Sequence, residues 1–112
     1  MVHQFIEYIT SLPEVTEVPH FDKSAFKVRK KIFATYDPKR KRINLKLSVM
    51  EQDLFSLINK QAIYPVDNNW GRKGWTYFHA DEVDPEILKE AIICAYSNSA
   101  PQKLLNQLPA DG

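Results

Sequence analysis

Nine of the fifteen basic side chains of this 112-residue chain lie in one stretch, KVRKKIFATYDPKRKRINLK, from Lys27 to Lys46. The chemistry they suit is the neutralisation of phosphates, because a polyanion is bound chiefly by cations that displace its counterions. Nine bases against one acid, Asp37, leave +8 there, whereas six bases against thirteen acids leave −7 on the remainder. A formal net charge of +1 hides that asymmetry. The local charge governs a partner, since the field of a patch decays within about 8–10 Å at physiological salt. A second group, NNWGRKGW, sets Arg72 and Lys73 between Trp70 and Trp75 on a segment flanked by Gly71 and Gly74. Cations beside aromatic rings suit stacking on exposed bases.

Other reactive types are sparse. Glu14, Glu17, His20 and Asp22 resemble a ligand or acid–base cluster, but Pro19 interrupts the segment and denies Glu17 and His20 a common helical face. Turn and capping roles fit these four better than a metal site. His3 lies at the terminus, and His79 closes an expected strand without an evident orienting partner. The single cysteine, Cys94, excludes an internal disulfide and reads as a small buried hydrophobe in AIICAYS. No glycine-rich phosphate loop follows a strand, and no nucleophile elbow occurs. The sequence assigns no catalytic residue, metal or cofactor. An enzyme would require a cleft lined by groups such as Glu17, His20 and Asp22.

Hydrophobic periodicity supplies the elements that position these groups. Val2, Phe5, Ile6, Ile9 and Leu12 mark an amphipathic helix stopped by Pro13. EVTEVPHFD has no clean period and reads as an irregular crossing. SAFKVR and RINLKLS alternate apolar and polar residues, IFATYD between them is β-rich, and AIYPV and WTYFHA follow later, so five antiparallel strands are expected. Ser48-Val-Met-Glu51 is a capping-box pattern ahead of a stripe at Met50, Leu54, Leu57 and Ile58, which predicts a second helix buried on that stripe. Asp84 with Pro85 starts a third helix whose inner face is Ile87, Leu88, Ala91, Ile92 and Ala95. The expectation is one α+β domain over residues 1–112, a two-layer antiparallel sheet of about five strands with helices on one face, in the order α-β-β-β-α-β-β-α. No stretch is apolar enough to span a bilayer, and MVHQFIEYIT lacks the basic start of a secretory signal, so a cytoplasmic protein is expected.

SLPEVTEVPHFDKSAFKVRKKIFATYD and the later NWGRKGWTYFHADEVDPEILKEAIICAYS resemble the MmcQ/YjbR family of small bacterial proteins. The marks are Leu12-Pro13, Glu17, Pro19-His20-Phe21, Phe26 with Val28, Lys31, Phe33-Ala34, Trp75 and Tyr96-Ser97. The resemblance implies a two-layer α+β fold similar to frataxin-like and secretion-chaperone-like domains. It also implies DNA binding through a double-wing motif. An acidic, iron-binding first helix is not implied, because Glu7 is the only acid in that helix.

Two functional readings follow. In the first, DNA is held mainly by its phosphates. Lys27, Arg29, Arg42 and Lys46 project from the open sheet face, Lys30 and Lys31 lie at a tight connection, and Lys39, Arg40 and Lys41 cluster with Arg42 at a hairpin tip. Arg72 and Lys73 form the second wing. Reversing the charges of Lys39–Arg42 is then expected to abolish binding. In the second, the same basic face holds an acidic protein. The bland reading of both is a solvated sheet face whose lysines discourage aggregation. Trp75 is expected in the core, and Trp70 is left open between core, rim and ligand contact.

Overall fold

The computed structural model describes residues 2–108, with side chains described from Gln4 onward. Val2 and His3, named above for their side chains, therefore fall outside what is described there. The elements run α1 (Val2–Ser11), β1 (Val15–His20), β2 (Lys23–Val28), β3 (Lys31–Asp37), β4 (Arg42–Lys46), α2 (Val49–Ile58), β5 (Ile63–Pro65), α3 (Asn69–Arg72), β6 (Trp75–His79), α4 (Pro85–Ser99) and α5 (Gln102–Leu105). The strands form one antiparallel sheet in the order β1-β2-β3-β4-β6-β5.

The two-layer α+β expectation is met with six strands rather than five. The extra strand is β1, in the segment read as an irregular crossing. It is an edge strand that buries neither face fully, so it shows no period of two, and Pro19 is tolerated there as it is on sheet edges. In β3 the alternation breaks for a different reason. The register against β2 shifts between Phe26 and Lys27, which leaves Phe33 as an extra residue, and both Phe33 and Ala34 are buried.

The core lies on one side of the sheet. Phe26, Val28, Ile43, Leu45 and Phe78 are buried in one core with Leu88, Ala91, Ile92, Ala95 and Tyr96 of α4. Asp84 caps this helix by accepting from the Glu86 N–H at 2.8 Å, with Pro85 in the first turn. Tyr96 stacks edge-on against Phe33 and donates its hydroxyl to the Pro13 carbonyl at 2.7 Å, fastening α4 to the end of α1. Leu12-Pro13 and Tyr96 are thus one structural contact, although far apart in sequence.

Helix α2 corrects the sequence reading. Its capping box forms as expected, with Ser48 and Glu51 exchanging bonds. The stripe expected inside is outside: Met50 is 74% exposed and Leu57 68%, with Leu54 and Ile58 also exposed. The inner residues are Gln52 and Phe55. Gln52 Nε2 lies 2.9 Å from the Gly71 carbonyl, 3.1 Å from that of Trp75 and 3.1 Å from Thr76 Oγ1. The Gly71 and Trp75 carbonyls also accept from the Gly74 and Val66 N–H groups, both at 3.0 Å, so it is the buried Gln52 amide that needs these acceptors rather than the carbonyls that need Gln52. Gln52→Leu removes these bonds while each carbonyl keeps its backbone donor, and is expected to cost about 0.5–1.5 kcal/mol, against within about 0.5 kcal/mol for the exposed Leu54→Gln. Urea midpoints measure both. A larger loss for Leu54→Gln than for Gln52→Leu would show that Leu54, not Gln52, faces the core.

Candidate nucleic-acid interface

The β3–β4 turn places Lys39, Arg40 and Lys41 at one end of the sheet. Asp37, only 4% exposed, organises that turn by accepting from the N–H groups of Lys39 and Arg40 at 3.0 and 3.3 Å. Burial works to raise the Asp37 carboxyl, but these bonds and the Arg40 guanidinium at 2.9 Å outweigh it and hold it below its ordinary value. Its contribution to stability is therefore complete above the unfolded value and is lost as pH falls through the folded one. Lys39 approaches Asp22 at 3.9 Å, and Lys41 approaches Asp81 at 3.7 Å. Each tip base thus has an acid of its own. Arg29, at the β2–β3 turn, is held by Glu14 through two bonds of 2.8 and 3.2 Å.

The other end of the sheet differs. Arg42, Asn44 and Lys46 alternate with buried Ile43 and Leu45, and they pair across to His79, Tyr77 and Trp75 on β6. Lys46 and Trp75 therefore sit at the end away from the β3–β4 tip, beside the β2–β3 turn that carries Lys30 and Lys31. Among the described residues, Lys27, Lys30, Lys31, Lys46, Arg72 and Lys73 have no carboxylate within 4.0 Å. The surplus positive charge is concentrated here, since carboxylates offset the far tip.

The NNWGRKG segment is not the β-hairpin wing expected for it. Residues 69–72 form the short helix α3, capped by Asn68, whose side chain accepts from the Trp70 N–H at 2.9 Å. The two expected wing tips lie at opposite ends of the sheet. Trp75 is half-buried rather than a core residue, because β6 turns Thr76 and Phe78 inward and Trp75, Tyr77 and His79 to the open face. Trp70 is 58% exposed, with Lys73 Nζ 5.1 Å from its ring centroid. Lys46 donates its ammonium to the Lys73 carbonyl, which ties β4 to the end of α3.

These groups converge. Lys31, Lys46, Lys73, Trp70 and Trp75 line one cleft of about 540 Å³ with Ile32 and Leu47, and Ser48, Asn98 and Ser99 complete its wall. Its size falls in the usual range for ligand clefts, about 300–1,000 Å³. The neighbouring Glu51 is already engaged, accepting from Asn98 Nδ2 at 2.7 Å and from the Ser48 N–H at 2.8 Å. Lys27 lies on the open face, opposite Ile32 in the register. Lys30 and Arg72 are exposed nearby in sequence.

The remaining candidates separate. Arg42 stacks its guanidinium 3.7 Å from the Tyr77 ring centroid, a packing role at the middle of the open face. His79, for which the sequence offered no partner, meets Tyr64 Oη at 2.7 Å and Glu82 at 3.6 Å. Glu14 and Asp22 are taken by Arg29 and Lys39, and His20 packs edge-on against Phe21. No cluster of three potential metal ligands occurs among the described residues.

Cys94 is half-buried on α4, beside a separate and largely apolar cavity of about 910 Å³ that includes Tyr8, Phe55 and Ile93. Burial first, then the charge of Glu51, pushes its thiol up to about 11. At pH 8 the native thiolate is then roughly a hundredfold scarcer than in the unfolded chain. Native protein should therefore react with a maleimide or disulfide reagent at least about tenfold more slowly than urea-unfolded protein. Equal rates would contradict that environment.

The profile of the family described as YjbR matches residues 10–98. Among solved structures, the Deinococcus radiodurans protein DR2400, with a DUF419 domain, is similar, with a TM-score of 0.74 and 24% identity over 86% of this chain and 75% of that one. At that identity the likeness establishes the fold. No curated protein matches. Among the described residues, no helix is long and apolar enough to cross a membrane. With the profile spanning the first helix end to the last long helix, the chain belongs to the YjbR family.

Proposed function

We propose that this protein binds DNA weakly, mainly through phosphates, at the end of the sheet formed by Lys27, Lys30, Lys31, Lys46, Arg72 and Lys73. The observation that carries the reading is the clustering of these bases without acidic partners, in a protein whose other basic cluster is offset by Asp22, Asp37 and Asp81. Arg29, Lys39, Arg40 and Lys41 contribute less, because each must exchange a carboxylate for a phosphate. Arg42 contributes through its stacked guanidinium. None of the longer helices presents a basic face for the major groove, since Lys89 stands alone on α4. Binding is therefore expected to be nonspecific, with Kd on the order of 10⁻⁴–10⁻⁶ M.

The test is fluorescence anisotropy of a short labelled duplex at about 50 and about 200 mM salt. Five phosphate contacts predict a loss of several hundredfold across that range. An acidic peptide serves as competitor. No duplex binding at low salt, with tight binding of the peptide, would replace DNA by an acidic protein partner.

A further inference from the structure

Phosphate binding alone does not require the cleft beside α3. A duplex backbone needs only exposed cations, and rings set beside them add nothing to its phosphate contacts. The cleft adds two indole rings and an apolar wall of Ile32 and Leu47, immediately beside three lysines. That pairing suits a ligand with a flat aromatic part and an attached anion. Trp70 is the more accessible ring, exposed where Trp75 is half-buried.

The attachment of Trp70 is also specific. Asn68 fixes the first turn of α3, and the Gly74 N–H bonds the Gly71 carbonyl at 3.0 Å to close it. Gln52 holds the same Gly71 carbonyl from beneath. The ring is therefore carried by a backbone segment secured on both sides, and Lys46 is drawn toward the same segment by the Lys73 carbonyl. A preorganised aromatic and a nearby cation lower the ordering cost of a stacked complex.

We infer that this cleft takes an unpaired nucleobase, stacked against Trp70, with its phosphate held by Lys31, Lys46 and Lys73. The inference rests on the DNA-binding reading and makes single-stranded DNA the preferred form. A base inside a duplex is already stacked and paired, so it enters such a cleft only after extrusion, whereas a base in a single strand is free to do so. The lysines read only charge, and the aromatic contact tolerates every base, so the preference is for strandedness rather than sequence.

Both tryptophans of the chain line the cleft, which makes intrinsic emission a direct reporter. The experiment titrates the full chain with a short oligothymidine, an abasic oligomer of equal length, thymidine monophosphate and a duplex, following emission and anisotropy at low salt. The expected result is quenching by oligothymidine, with binding at least about tenfold tighter than the abasic strand, the scale of one stacked base. Trp70→Ala should remove that advantage and Trp70→Phe restore part of it, with an unchanged melting temperature. Thymidine monophosphate binding as tightly as the oligomer would assign the cleft to a free nucleotide and overturn the strand preference. Equal, unquenched binding of oligothymidine and the abasic strand would overturn the inference while leaving phosphate binding intact. No binding of any nucleic acid would remove both.

Discussion

Gly74→Ala is expected to cost more than about 4 kcal/mol, enough to remove much of a small domain's stability. Gly74 has φ +109°, a backbone conformation that L side chains rarely adopt. A Cβ there would lie 1.8 Å from the Leu47 carbonyl oxygen, so a rigid backbone atom rather than a flexible side chain would have to move. That movement would disturb the Leu47 N–H to Gly74 carbonyl bond of 3.1 Å, which joins the end of β4 to the start of β6. Strained torsion alone accounts for about 1–3 kcal/mol, and the displaced backbone adds to it. Thermal unfolding followed by circular dichroism should show a midpoint lowered by more than about 10 °C. A shift under about 3 °C would mean that the β4–β6 junction is far looser than described. Because this glycine supports Lys73 and Trp75, its variants are unsuited to testing ligand binding.

The second large effect separates the two ends of the sheet. Reversing Lys31, Lys46 and Lys73 to glutamate is expected to weaken duplex binding by more than about a hundredfold at low salt, and to flatten the loss between about 50 and 200 mM from several hundredfold to about tenfold. The physical basis is the number of phosphates neutralised, since each contact contributes about 0.9 to the salt slope. Reversing Lys39, Arg40 and Lys41 should weaken binding less than about fivefold, because Asp22, Asp37 and Asp81 already offset those charges. Lys31 and Lys73 are exposed, and the half-buried Lys46 loses one bond to the Lys73 carbonyl, so the first variant should remain folded, which circular dichroism checks. If instead the tip variant loses binding and the cleft variant keeps it, the DNA site belongs at the β3–β4 tip.

Much of this architecture is legible along the chain because its determinants are local. The Ser48–Glu51 box and the Asp84 cap act across two or three residues, and both starts are where the residues indicate. Strands β2 and β4 show their alternation because each has one packed and one open face. The inner face of α4 is likewise visible in its spacing, with Ile87 half-buried at the edge of an otherwise buried row. The concentration of bases between Lys27 and Lys46 is a property of composition and needs no structure to see.

Tertiary structure decided what those bases face. Glu14 reaches Arg29 across 15 residues, and Asp81, just past β6, reaches Lys41, just ahead of the neighbouring β4, so which cations are offset depends on chain pairings that no local pattern encodes. The inward turn of α2 is another such outcome. Its more apolar stripe points outward, while on the other side Gln52 bonds the Gly71 and Trp75 carbonyls and Phe55 packs edge-on against Phe78. Edge strand β1 escaped notice because an edge has little burial to alternate, and the four-residue α3 is too short for a helical period. By itself the sequence determined the helix caps, the alternating strands and the supply of charge, since these depend on neighbours. Pairing, exposure and the cleft that joins Lys31 to Trp70 arise only when distant segments meet, because a buried polar group or a charge takes the partner that space provides rather than the one sequence order suggests.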